Sequence, residues 1–259
     1  MPVRFGPAGL GSVKNAESVL KEYSLLGFEA CEIAFTYGVY ISKKDDALRI
    51  GKTAKKLGIT LSIHAPYWIN LNSEDKEKVK KSAQRILKCC EIGTYLMAKK
   101  VIFHPGYYGK KGKEETYDSI KKEIIGIKKI MKEKKYTPYL APETTGKLNV
   151  FGSIDEIFRL SKETKCSFCI DFAHILARYK EYKFKEVFRM FKEKDFHIHF
   201  SGIIYGDKGE KSHVKTPVSG LKELILEIPE EKEIIVINES PNTVEDSIEG
   251  LKLYKLLNP

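Results

Sequence analysis

Six histidines occur in the 259-residue chain, and five of them close or follow short apolar runs. His64 ends TLSIH (60–64), His104 ends KVIFH (100–104) and His199 lies in FHIHF (196–200). His174 stands three residues beyond SFCID (167–171), and His213 lies in the polar stretch after FHIHF. Three carboxylates share the pattern: Glu143 ends TPYLAPE (137–143), Asp171 ends SFCID and Glu239 ends EIIVINE (233–239). Each alone has an ordinary explanation. A lone histidine is usually a satisfied polar residue, and a carboxylate after a strand often caps the next helix. Eight together call for one cause. Carboxylates packed into one place repel and resist ionisation, and a bound divalent cation relieves them. Imidazole and carboxylate without thiolate suit Zn, Mn or Fe better than Ca or Mg. One tetrahedral zinc takes about four ligands, so eight candidates imply two or three ions, a carboxylate bridging a pair about 3.5–4 Å apart. His197 alternates with His199 and faces the same way one layer deeper, as a core or supporting residue.

The elements that must bring these residues together are readable as alternation. The remaining apolar runs are VRFGP (3–7) and CEIAF (31–35), which makes eight in all. Amphipathic stretches separate them. In 15–27, Ala16, Val19, Leu20 and Tyr23 recur at helical spacing, and Gly27 sits where a C-terminal cap belongs. The stretch 73–93 opens at Ser73 with an acidic turn and closes at Gly93, and 243–257 opens with Thr243, Glu245 and Asp246. Strands alternating with helices indicate parallel βαβ units. Eight units in about 250 residues close a (β/α)8 TIM barrel. The expected architecture is one such α/β domain over 1–259, with the metal site at the C-terminal mouth, where strand ends converge. An open doubly wound sheet lacks its phosphate-binding signature, since no GxGxxG or GxxxxGK[ST] follows an early strand. The most loop-like stretches, 105–113 and 201–219, both follow strands and belong on that same face.

Composition narrows the partners. The formal charge is +10, from 45 Lys+Arg against 35 Asp+Glu, which suits a polyanion such as nucleic acid. Lysine supplies 39 of the basic residues, glutamate 26 of the acidic ones, and glutamine occurs once, a thermophile-like bias. No run approaches the ~18 apolar residues of a membrane helix. The opening MPVRFGPAGL has no apolar segment behind its Arg4, so a cytoplasmic protein without membrane partners is expected. Five cysteines, an odd number, argue for reduced thiols. Cys166 and Cys169, read on a strand, point to opposite faces and do not form a zinc knuckle. No apolar helix face is left over, and a monomer is expected.

The segments HAPYWINL (64–71), FHPG (103–106), PETTGK (142–147), DFAH (171–174), HFSG (199–202), SH (212–213) and NESPN (238–242) resemble, in order, those of endonuclease IV. These are metal-dependent apurinic/apyrimidinic endonucleases among the xylose-isomerase-like barrels. The resemblance covers the chain from about residue 60 onward. It implies a trinuclear Zn2+ cluster: His64 and His104 on the first zinc, Glu143 bridging to the second, Asp171, His199 and Glu239 completing that one, and His174 and His213 on the third. Mn2+ or Fe is also compatible with these ligands. It further implies hydrolysis of the phosphodiester 5′ to an abasic site in duplex DNA, in base-excision repair. Water activated on the metal would attack phosphorus in line, with Glu143 orienting or deprotonating the nucleophile. Tyr67 and Asn70 match the family's DNA-contacting pattern around the extruded abasic nucleotide.

Two departures stand out. The family's third zinc also takes an Asp two residues before the last His. Here that position is Lys211, and a protonated ammonium cannot ligate. The third site is then weaker, recruits Asp207 or Glu210, or stays empty. The family's longer loop after the second strand is replaced by FTYGVYISKK (35–44). Its Tyr37 and Tyr40 either meet bases, with Lys43 and Lys44 on phosphates, or pack as half-buried rings. Tyr107 and Tyr108 beside Lys110, Lys111 and Lys113 form a second aromatic and basic loop. Two other functions fit the barrel. A sugar isomerase or epimerase of the same superfamily needs one divalent ion, which Glu143, Asp171, His199 and Glu239 would hold. A DNA-binding protein without catalysis is the third reading, and an intact ligand set argues against it.

Overall fold

The computed structural model describes residues 3–259. Met1 and Pro2, at the head of the N-terminal segment considered above, lie outside the described residues. Eight parallel strands alternate with helices: β1 Val3–Pro7, β2 Ala30–Ala34, β3 Thr60–His64, β4 Lys100–Phe103, β5 Tyr139–Pro142, β6 Ile170–Asp171, β7 Asp195–Phe200 and β10 Glu233–Asn238. They pair as two four-stranded sheets, β1-β10-β7-β6 and β2-β3-β4-β5. Single parallel bridges join the sheets at Ala8–Glu32 and Glu143–Cys169, closing the barrel. The barrel strands are nearly all buried, as expected where helices cover the outside.

Local sequence explains most boundaries. Helix α1 (Ala16–Leu25) buries Ala16, Leu20 and Tyr23, and Gly27 follows with φ +84. Helix α5 (Ile154–Thr164) opens with a full capping box between Ser153 and Glu156. Helix α9 (Thr243–Leu257) lies where its pattern placed it. Helices α2 (Lys44–Lys56), α4 (Lys113–Lys134), α7 (Phe184–Met190) and α8 (Val218–Glu227) lie in other strand connections.

Three expectations need correction. The helix read as 73–93 is α3, Lys76–Leu96. Its cap is Asp75, whose side chain accepts from the Glu77 and Lys78 N–H groups, and Ser73 instead accepts from Asp75 N–H. Gly93 lies inside this helix, where a methyl would come 2.8 Å from Pro138 Cγ; it is a packing glycine. The run SFCID contracts to a two-residue strand. Lys165 leaves α5 in the left-handed region (φ 54) and Cys166 N–H donates to Thr164 Oγ1, so the chain is still turning there. Finally, 201–219 is not irregular: β8 (Gly202–Gly206) and β9 (Gly209–Val214) form an antiparallel hairpin. Asp207 and Lys208 turn between two glycines, Gly209 at φ +92, a hairpin signal.

Near the strand N-termini Phe168, Phe191 and Phe196 pack together, with ring centroids 4.5 to 6.3 Å apart. Among the described residues no helix is long and apolar enough to cross a membrane.

Candidate metal centre

All eight residues picked out at strand ends converge on the upper mouth. They fall into three overlapping groups whose donor atoms lie within 4.8 Å of one another: His64–His104–Glu143, Glu143–Asp171–His199–Glu239, and Asp171–His174–His213. The placement follows from the strands. His64 ends β3 and Asp171 ends β6, while His104, Glu143 and Glu239 stand one residue beyond β4, β5 and β10. His174 lies in the first turn of α6 (Phe172–Tyr179), and His213 in β9.

Glu143 is the centre. Its Oε2 lies 3.1 Å from His64 Nε2 and 3.0 Å from His104 Nε2. Its Oε1 lies 3.1 Å from His199 Nδ1 and 3.3 Å from His174 Nδ1. Each oxygen thus faces a different pair of imidazoles. Burial alone would raise its pKa, but His104 and His199 outweigh burial and hold the carboxyl well below its ordinary value. Burial likewise opposes the charge on His64, yet its contact with Glu143 lifts it to about 9. Glu239 Oε2 sits 3.4 Å from His199 Nδ1, and that imidazole, against burial, lowers it to about 2. Without a metal, protons on His64, His174 and His199 balance the carboxylates.

Tautomers are set from behind. His64 Nδ1 faces the Ala65 carbonyl at 2.8 Å and His174 Nδ1 faces the Thr144 carbonyl at 2.9 Å, so both rings present Nε2 to the mouth. His213 Nδ1 is held 2.6 Å from Ser201 Oγ. Asp171 does cap α6, Oδ1 accepting from His174 N–H at 2.8 Å, but its buried Oδ2 has no hydrogen-bond partner. Neither does the buried His174 Nε2. Clustered imidazoles, buried carboxylates and two orphaned buried donor atoms fit a divalent cation of the Zn, Mn or Fe type.

Sequence reasoning missed Glu32. This carboxylate is fully buried in β2, 2.9 Å from His197 Nε2, 2.8 Å from Ser62 Oγ and 3.0 Å from His199 Nε2. His197 is therefore one layer down and holds Glu32, which in turn sits behind His199. The available signal was a charged residue in the otherwise apolar CEIAF. Cys169 shares a small apolar cluster with Ile102 and Ala141 and forms a donor group with His197 and His199. Burial pushes its thiol well above the ordinary value, so it stays protonated. Cys166 precedes the strand rather than lying on it.

A cavity of about 330 Å³ opens above the cluster, lined by Tyr67, Tyr107 and Lys147 besides the histidines. Tyr37 is 84% exposed, Tyr67 60% and Trp68, which sequence reasoning passed over, 61%. Tyr40 is more withdrawn, its ring edge-on to Phe35 at 5.2 Å. Asn70 Oδ1 accepts from Asn72 N–H and Tyr107 N–H, joining the loops after β3 and β4. Lys110 is exposed on the latter loop.

An eight-stranded barrel with imidazoles and carboxylates gathered in its mouth defines a class of fold, and sequence comparison assigns the family. A family model described as xylose isomerase-like TIM barrel matches residues 20–255, and the chain belongs to that family. An uncharacterized protein of Methanocaldococcus jannaschii is 35% identical over 98% of this chain and 97% of its own length. A protein of Aquifex aeolicus named probable endonuclease 4 is 29% identical over 51% of this chain and 48% of that protein. Among solved structures, SacUVDE superposes with a TM-score of 0.76 (17% identity, 99% of both chains). Endonuclease IV from Thermus thermophilus gives 0.71 (19%, 98% of both). A D-tagatose 3-epimerase-like protein gives 0.74 (18%, 98% of this chain, 96% of that one). At these identities the structural likeness establishes the fold alone.

Proposed function

We propose that this protein is a multi-metal phosphodiesterase that incises duplex DNA on the 5′ side of abasic sites. The observation that carries this reading is the double engagement of Glu143, whose Oε2 meets His64 and His104 while Oε1 meets His199 and His174. A carboxylate placed this way is built to bridge two cations. His64 and His104 would hold one ion, Asp171, His199 and Glu239 a second, and His174 and His213 belong to a third position. When bound, such ions neutralise a phosphate, activate water near neutral pH and stabilise the leaving oxyanion. The chain's own part is to fix those positions. Ala65 O and Thr144 O orient His64 and His174, Glu32 lies 3.0 Å behind His199 Nε2, and Glu143 is set to orient or deprotonate the attacking water. Tyr67 and Tyr107 at the cavity edge, with Tyr37 and Trp68 further out, offer flat faces to an unstacked duplex. An abasic nucleotide has no base to unstack, so its extrusion is inexpensive. The charge of +10 supplies non-specific affinity for DNA.

The second reading, a one-metal sugar isomerase or epimerase, is favoured by the Glu143–Asp171–His199–Glu239 group taken alone and by the modest cavity. It leaves His174 and His213 without a task and gives His64 and His104 contacts with the substrate in place of a metal. The deciding experiment incubates metal-analysed protein with a duplex carrying one abasic site, with and without a chelator. Incision 5′ to the lesion, abolished by the chelator, is expected. A single bound ion, intact abasic DNA and turnover of a ketose panel would overturn the proposal in favour of the sugar enzyme.

A further inference from the structure

The hairpin β8–β9 resolves the anomaly at Lys211. Its pairs run Gly202–Val214, Ile203–His213, Ile204–Ser212, then Tyr205–Glu210 and Gly206–Gly209, with a register shift between Ile204 and Tyr205. Lys211 has no partner: it is the extra residue of a β-bulge. In a regular strand Lys211 and His213 would share a face and Glu210 would point away. With the bulge, Glu210 and His213 stand opposite Tyr205 and Ile203, which lie two apart on β8, so both project the same way. Glu210 Oε2 lies 3.4 Å from His174 Nε2, whereas the exposed Lys211 side chain runs over Gly206, where a methyl would be 3.1 Å from Lys211 Cε.

Two features seat Glu210 there. Gly146 has no side chain, and a methyl on it would meet Glu210 Cβ at 2.7 Å and His174 Cδ2 at 3.1 Å. The hairpin is also tied to the loop after β5: Glu210 N–H donates to the Gly146 carbonyl, Leu148 N–H donates to the Lys208 carbonyl, and Lys147 bridges Gly209. An acidic side chain alone would not define a site. Here it faces a buried imidazole nitrogen that has no hydrogen-bond partner, and Asp171 Oδ2, in the same donor group as His174 and His213, has none either. Because His174 Nδ1 is held by the Thr144 carbonyl, Nε2 is the ring atom left to face the carboxylate, an arrangement suited to a cation held by both.

We infer that Glu210 is a ligand of a third divalent metal, with His174 and His213. Lys211 is then an inserted residue that the strand expels as a bulge, not a replacement for a ligand. This rests on the reading that the mouth binds metal ions. The test uses the full-length protein stripped with a chelator, loaded with zinc, freed of excess and analysed for metal per chain. Wild type is expected to hold three ions, Glu210→Gln two and Lys211→Ala three. Gly146→Ala keeps every ligand but crowds Glu210 and, less closely, His174, and it should also fall to two. Circular dichroism of each variant confirms its fold. The inference fails if wild type holds fewer than three ions, if Glu210→Gln and Gly146→Ala both keep the wild-type count, or if Lys211→Ala loses an ion. Three ions in wild type without incision of abasic DNA would sink the functional proposal and leave this assignment standing.

Discussion

The two ends of the barrel balance buried charge by different means. At the lower end the counter-charges are permanent. Lys100, buried against Phe168, has its ammonium 3.5 Å from Asp195 Oδ2, and Lys99 lies 3.0 Å from Asp195 Oδ1. Lys232 donates to the Phe191 and Glu193 carbonyls. At the upper end, the ion pairs of Glu143, Asp171 and Glu239 among the described residues are all with imidazoles. An imidazole carries charge only while it holds a proton, and it surrenders that proton to a metal. The difference separates a floor built for stability from a mouth whose neutrality is completed by something that binds.

The sharpest way to break this contrast is at its centre. Glu143→Gln removes the one charge that faces four imidazoles. It is expected to lower the incision rate by about 10²–10⁴-fold, the usual worth of a group acting on the transferred proton, and to reduce metal content. Incision assays and metal analysis check this, and unchanged values for both would refute the central role of Glu143. A smaller effect is expected one layer down. Glu32→Gln keeps the shape but weakens the hold on His199 Nε2. Supporting partners of this kind are worth about 10–100-fold in metal affinity or activity. Zinc titration against a competing chelator measures it, and wild-type affinity would reduce Glu32 to a packing residue.

The smallest effect belongs to the floor. Burial raises the pKa of Asp195, but Lys100 and Lys99 outweigh it and the net shift is downward. A carboxyl whose folded value is depressed stabilises above its unfolded pKa of about 3.9, and the contribution disappears as pH falls through the folded value. Asp195→Asn is therefore expected to cost about 1 kcal/mol near neutrality, since the carboxylate is partly exposed and screened. That corresponds to about 2–4 °C in Tm. The variant should also lose less stability than wild type on acidification below about pH 4. Incision should be unchanged, and a fall in incision without a fall in Tm would erase the division between the two ends.

The barrel and its mouth were legible because a strand buried on both faces advertises itself as an apolar run, and because the chemistry sits at the last residue. TLSIH and EIIVINE give strand and ligand in one reading. Two kinds of information were hidden. Glu32 lies mid-strand, and a single carboxylate among apolar neighbours carries no spacing signal; its role appears only when β7 brings His197 and His199 beside it. The hairpin at 202–214 was read as loop because a bulge breaks the alternation of inward and outward residues on which strand recognition depends. For the same reason Lys211 looked like a ligand position.

The barrel is closed at two seams, one passing through a carboxylate of the mouth and the other through the carboxylate beneath it. The sheet β2-β3-β4-β5 meets β1-β10-β7-β6 at Ala8–Glu32 and at Glu143–Cys169. One half of the molecule supplies His64, His104 and Glu143, and the other supplies Asp171, His174, His199, His213 and Glu239. An ion held by Glu143 and His199 together is a rivet between two half-cylinders. Its binding free energy then adds to what already holds one half of the barrel to the other.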